Sequence, residues 1–232
     1  MSLRRAGGQQ TLPRPTQWRE LQHSPFDRLD TQALGSLAAV RSALAANLPH
    51  EESQRPPVNT QPSAVLIGIF ETSSGPHVVL TRRSEHLSSH RGQIAFPGGR
   101  LEPGESSLQA AIRETREEIG LDVAGATVLG QLAAHRTISS SSHIVPHVVD
   151  IGAAPSRFQM SDEVERVFSV PLSELVRPDT FAQEHWTFAD REVVVPFFYL
   201  DDETIWGATA RMLQELLLLT LKHHGPAASR TV

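Results

Sequence analysis

The stretch that most constrains this chain is residues 99–121, GRLEPGESSLQAAIRETREEIGL. Ser106 followed three positions later by Gln109 makes a capping-box pattern, in which two side chains satisfy amides that a first helical turn leaves open. The helical pattern continues to Ile119, and Gly120 stands where a left-handed residue closes a helix. Leu108, Ala111, Ile112, Thr115 and Ile119 fall within about 100° of one another on a helix turning about 100° per residue, so they form one buried stripe. Glu114 and Glu117 lie off that stripe, with Glu118 at its border.

Glu114 and Glu118 are spaced i and i+4, with Glu117 one turn from Glu114, so the three carboxylates share a face. Like charges so placed destabilise a helix by about 0.2–0.5 kcal/mol per pair, which calls for compensation. Arg113 is one source and a bound cation is another. An all-oxygen cluster without cysteine or histidine suits a hard ion, Mg²⁺ or Mn²⁺. On its own, such a pattern is more often a solvated acidic face. Its surroundings reverse that. Gly99, Glu105, Arg113-Glu114, Arg116, Glu117-Glu118, Ile119, Gly120 and Leu121, in this order and spacing, resemble the Nudix box of hydrolases that cleave nucleoside-diphosphate-linked substrates. Thr115 alone departs, in a slot that is usually aliphatic.

The resemblance implies an α/β fold, the Nudix α/β/α sandwich with a mixed β-sheet between helices. It also implies hydrolysis of a pyrophosphate linkage by water, with Mg²⁺ or Mn²⁺ held by Glu114, Glu117 and Glu118 and the Gly98 carbonyl a candidate to complete the set. Glu105 and Arg113 look like the family's structural pair, Arg113 orienting the glutamates.

The length of 232 residues suits one sizeable domain with extensions. A net charge of −5, with no basic and aromatic stripe, argues against binding to nucleic-acid polymers. The absence of cysteine excludes disulfides, thiolate metal sites and cysteine nucleophiles. No GxSxG elbow is present. No apolar run approaches bilayer length, and no apolar core follows Arg4 and Arg5, so a cytoplasmic protein without membrane association is the expectation.

In chain order, residues 1–29 are expected to be a flexible tail and residues 30–62 a helix and linker. The domain itself is expected over residues 63–222, with residues 223–232 a second tail. Ala33, Leu37, Val40 and Leu44 lie on one face of a helix that spans Gly35 and runs from Asp30 to Asn47. Residues 64–70, AVLIGIF, read as a buried strand forming a hairpin with residues 78–81. Further strands are expected at 127–132, 143–151 and 164–170, with a flexible surface loop around Ser139 to Ser142 between the first two. Residues 193–200, which contain Pro196, read as an edge strand. Residues 206–222 form a final helix whose leucines belong to the core.

Leu80-Thr81, Arg83-Ser84, Gly92 and Phe96-Pro97-Gly98-Gly99 resemble the signature that accompanies the Nudix box in coenzyme A pyrophosphatases, and residues 206–211, WGATAR, are similar to that subfamily's final helix. Gly98 and Gly99 would let backbone approach a metal or phosphate. Where the signature carries arginine eight residues before Phe96, this chain has Ser88. Arg82, Arg83 and Arg91 are candidates for the missing charge, with Arg83 and Arg91 the candidate substrate contacts. Coenzyme A or an acyl derivative is thus the implied small-molecule substrate, with ADP-ribose or a dinucleotide as alternatives and a non-catalytic nucleotide sensor as another class. Glu114 and, from a distal loop, Glu163 are the candidate catalytic bases. His135, His143 and His147 stand in no recognisable acid-base spacing.

Overall fold

A strand buried on both faces sends alternate side chains to opposite layers, and residues 64–70 do so. Ala64, Leu66 and Phe70 pack on one side of a sheet, Val65, Ile67 and Ile69 on the other. The structure is a computed structural model and describes residues 12–47, 56–136 and 142–225. The chain runs through β1 (Gln17–Glu20), a 3-10 turn (Thr31–Gly35), α1 (Leu37–Ala46), β2 (Gln61–Thr72), β3 (Gly75–Arg83), β4 (Ile94–Ala95), β5 (Gly98–Arg100) and α2 (Ser107–Ile119). Next come β6 (Thr127–Gln131), β7 (His135–Arg136), β8 (Ser142–Asp150), β9 (Val164–Pro171) and a second 3-10 turn (Leu172–Val176). It closes with β10 (Phe181–Thr187), β11 (Glu192–Tyr199), β12 (Thr204–Ile205) and α3 (Gly207–His224).

β2 is central to a mixed sheet ordered β4-β3-β2-β8-β6. It runs antiparallel to β3 and β5 and parallel to β8, while β9 adds to β3 and β7 to β8. The β2–β3 hairpin turns at Gly75, whose φ of +99° suits a residue without Cβ. Ala110, Ala111 and Ile119 of α2 cover one face of the sheet. Val40 and Leu44 of α1 and Leu213, Leu216 and Leu217 of α3 cover the other. The result is the α/β/α sandwich. No helix among the described residues is long and apolar enough to cross a membrane.

A second sheet, β1-β10-β11-β12, adjoins the sandwich. Phe181 and Phe198 on one face join the main core, and Trp186, Val195 and Phe197 occupy the other. Its first strand corrects the flexible-tail reading of residues 1–29. Trp18 pairs with Trp186 across β1 and β10, and Phe26 meets Phe181 edge to face at 4.7 Å. Arg14 reaches Glu184, a carboxylate only 1% exposed, from 2.6 Å. A buried charge must be paired, and closing β10's outer edge gives its amides partners, so this segment is held in place. Residues 1–11 lie outside the described residues.

Other boundaries shift for local reasons. The first helix is broken: Asp30 caps a 3-10 turn, Ser36 is extended at φ −143°, and α1 begins at Leu37. Its buried face is still Leu34, Leu37, Val40 and Leu44. Gln61 and Pro62 belong to β2, not to a linker, since they pair with Ser142 and His143; residues 48–55 lie outside the described set. Of the loop expected around Ser139 to Ser142, Ser142 already belongs to β8, and residues 137–141 lie outside the described residues. His223 and His224, assigned to the terminal tail, extend α3 and bond to Ser42 Oγ at 3.1 Å and the Ala39 carbonyl at 3.0 Å. β11 lies between β10 and β12, yet β12 pairs only with Phe198 and Tyr199. Pro196 sits beyond that pairing, on a stretch with one open side, which is where a residue without an amide proton is tolerated.

Candidate active site

The capping box forms as the spacing requires. The Ser106 hydroxyl accepts from the Gln109 amide, and the Gln109 side chain accepts from the Ser106 amide at 2.9 Å. Gly120 closes α2 at φ +68° and donates to the Arg116 carbonyl. Thr115 is fully buried and donates its hydroxyl to the Ala111 carbonyl at 2.7 Å, so it packs in an apolar slot without an unpaired polar atom.

Arg113 is the hub of the acidic face. Its Nε and Nη2 donate to the two Glu105 oxygens at 2.9 and 3.0 Å, and Nη2 also reaches the Arg100 carbonyl at 3.0 Å. Nη1 lies 3.0 Å from both Glu114 Oε1 and Glu117 Oε2. The paired guanidinium holds Glu105 below the usual carboxylate range. Glu114 stays raised despite its contact with Arg113, because burial outweighs a cation shared among three acids and because Glu117 and Glu163 add like charge.

Backbone without side chains brings β5 against this face. A Cβ on Gly99 would lie 2.4 Å from Glu114 Oε1, and one on Gly98 would lie 2.3 Å from the Ala64 carbonyl oxygen. Gly98 donates its amide to Glu118 Oε2 at 3.1 Å. Burial pushes Glu118 up to about 7, with Glu114 and Glu163 contributing and the Gly98 amide and Arg83 opposing.

Arg83 places Nη1 3.8 Å from Glu118 and Nη2 3.7 Å from Glu163, bridging α2 and the start of β9. Glu163 is 58% exposed. Arg82, one residue earlier and on the opposite side of β3, pairs with buried Glu203 at 3.1 Å and with Glu85 and Glu165. The pairing of β3 with β9 is irregular between these two arginines, a feature that redirects side chains near functional sites. Arg91 turns back to donate to the Leu87 carbonyl, and Ser88 is exposed. The structure thus gathers Glu105, Arg113, Glu114, Glu117, Glu118, Gly98, Gly99, Arg83 and Glu163, and leaves Arg91 apart. His147 is buried, bonded to Ser107 Oγ, and lowered to about 4 by burial. His135 pairs with Glu215 of α3.

On the other side of Gly98–Gly99 opens a cavity of about 320 Å³, bounded by β2, β5, the second sheet and the start of α3. Trp186, Phe188, Val193, Val195 and Trp206 supply apolar walls. Arg83, Arg136, Arg211, His90 and His135 supply the polar ones, and no Asp or Glu lines it among the described residues. Its size falls within the usual range for small-molecule sites. Trp186 stands in a segment to which the sequence pattern assigns no element, and Arg211 closes the WGATAR stretch without any local signal that it faces a cavity.

Three carboxylates, two of them raised by burial and like charge, with a side-chain-free backbone beside Glu114, fit a hard divalent cation. In this structure Arg113 engages Glu114 and Glu117 and the Gly98 amide engages Glu118, so no three acidic or histidine side chains among the described residues converge on one point.

An acidic helix face joined across two glycines to a basic, aromatic-walled cavity is chemically suited to a cation on one side and to phosphate anions on the other. The chain matches the NUDIX domain over residues 59–191. It is 37% identical to a Nudix hydrolase of Yersinia enterocolitica named NudL, over 68% of this chain and 80% of that protein. It is 33% identical to Nudix hydrolase 3 of Caenorhabditis elegans, over 67% of this chain and 72% of that one. A solved C. elegans Ap4A hydrolase aligns with 50% of this chain and 84% of its own at 21% identity and a TM-score of 0.42. The chain belongs to the Nudix hydrolase family and is a pyrophosphohydrolase. Such enzymes use divalent ions such as Mg²⁺ or Mn²⁺.

Proposed function

We propose that this protein hydrolyses coenzyme A, or an acyl derivative, to 4′-phosphopantetheine and adenosine 3′,5′-bisphosphate. The observation that carries the reading is the junction at Gly98–Gly99, where the acidic helix meets a cavity lined by positive and apolar groups and, among the described residues, by no carboxylate. Glu114, Glu117 and Glu118 would hold Mg²⁺ or Mn²⁺, with the Gly98 carbonyl as a further oxygen donor. When bound, such an ion offsets phosphate charge and lowers the pKa of water.

Arg113, locked to Glu105, orients Glu114 and Glu117. Arg83 neutralises a phosphate oxygen from the cavity side. The water oxygen bonds to phosphorus, the bridging P–O bond breaks, and the bridging oxygen leaves with the other phosphate. Glu163 accepts the proton of the attacking water: it is exposed, held beside Arg83, and near enough to Glu114 and Glu118 to raise both. A second reading, ADP-ribose or a dinucleotide as substrate, is favoured by Ser88, which supplies no charge where the coenzyme A signature has arginine.

Pure protein incubated with coenzyme A, acetyl-coenzyme A, ADP-ribose, NADH and diadenosine polyphosphates, with and without Mg²⁺ or Mn²⁺, tests both. Preference for coenzyme A or its acyl form is expected. Preference for ADP-ribose or a dinucleotide would refute the first reading.

A further inference from the structure

We propose that the cavity receives the adenosine half of a nucleotide bearing a ribose phosphate in addition to the cleaved diphosphate, and that Arg211 recognises that extra phosphate. This rests on the reading that a nucleotide diphosphate lies at Gly98–Gly99, from which one half of the substrate extends into the cavity.

Arg211 stands near the start of α3, lines the cavity, and forms no hydrogen bond or ion pair among the described residues. The other arginines in the interior of the fold are compensated: Arg14 by Glu184, Arg82 by Glu203, Arg83 by Glu118 and Glu163, and Arg113 by Glu105. Glu215, one turn after Arg211 and its natural partner on the helix, is taken by the His135 ring and the Ala133 amide, each at 2.9 Å. Burial disfavours the Arg211 charge, and no acid among the described residues offsets it. A half-buried guanidinium without a carboxylate is therefore matched to an anion from outside, and its planar fork fits two oxygens of a phosphate.

The apolar walls specify the rest. The rings of Trp186 and Trp206 lie 6.5 Å apart and those of Trp186 and Phe188 6.3 Å apart, so one side of the cavity is aromatic. Flat apolar faces receive a purine ring, whereas an acyl or pantetheine arm would leave the positive wall without partners. A nucleoside with no phosphate beyond the diphosphate would likewise leave Arg211 unpaired.

The test is calorimetric titration of the full-length protein with adenosine 3′,5′-bisphosphate and with 5′-AMP, for the wild type, Arg211→Met and Arg211→Lys. Wild type should bind the bisphosphate at least about tenfold more tightly than AMP, as a charge-assisted bidentate contact allows. Arg211→Met should remove that preference, and Arg211→Lys should keep part of it. Equal binding of both ligands by wild type, or an equal loss of both in Arg211→Met, would overturn the proposal. Turnover separates it from the substrate reading. The ratio of kcat/KM for coenzyme A over its form lacking the 3′-phosphate should fall in Arg211→Met. Bisphosphate preference without coenzyme A hydrolysis would sink only the substrate assignment; hydrolysis of both forms with an unchanged ratio would sink only the role of Arg211.

Discussion

His147 should make the protein's stability depend on pH in a way that one substitution removes. It lies on β8, buried under α2, and its Nε2 bonds to Ser107 Oγ at 2.9 Å. Burial lowers its pKa from 6.5 to about 4. The unfolded chain therefore takes up a proton between these values that the folded chain refuses. The contribution is fully present above pH about 6.5 and is lost as pH falls towards 4, amounting to about 3 kcal/mol at about 1.4 kcal/mol per unit. His147→Gln keeps a polar group for Ser107 and cannot titrate. Urea unfolding from pH 4 to 7.5 should show wild type losing about 3 kcal/mol more than the variant on acidification. Glu118, raised to about 7, acts with the opposite slope, but equally in both proteins, so the difference curve isolates His147. Parallel curves for the two proteins would refute the reasoning.

The adjacent glycines should fail differently. In Gly99→Ala the new methyl meets the end of the Glu114 side chain, so kcat should drop about tenfold or more with little change in Tm. In Gly98→Ala it meets the Ala64 carbonyl and the Val65 backbone at φ +150°, so thermal unfolding should show a loss of about 2–4 kcal/mol. Glu118→Gln should abolish turnover while leaving the circular dichroism spectrum intact; full activity would refute the proposed metal role. Arg14→Met leaves buried Glu184 without its cation, and denaturant unfolding should reveal a cost of about 3–5 kcal/mol.

The sandwich and the acidic helix were legible because their signals are local. Ser106, Gln109 and Gly120 define helix ends within a few residues, and AVLIGIF can only be a strand buried on both faces or a short core helix. The second sheet was much less so. β1 has four residues, all exposed, and β12 has two, too few for alternation to register. β10 has a clear alternation of burial in the structure, but its sequence, FAQEHWT, puts Glu184 at a buried position, which obscures the pattern. The Trp186 indole donates to that carboxylate at 2.7 Å, but its counter-charge comes from the distant Arg14, and a contact so far apart in sequence leaves no local trace. The aromatic cavity inherits the same difficulty, since its walls come from β10, β11 and α3. The break at Ser36 is tertiary too: the Leu37 amide is taken by Glu71 of β2 at 3.1 Å.

Arg82 and Arg83 carry a consequence beyond their partners. Their chemistry is identical, and composition alone cannot say which of them faces the acidic helix. Odd and even positions on a strand act as an address, sending Arg83 to Glu118 and Arg82 to Glu203. Exchanging the identity of either arginine would therefore do local harm, but inserting or deleting one residue in β3 before them would turn both to the opposite faces of the strand. An indel there should damage fold and catalysis together, where most point changes would touch only one.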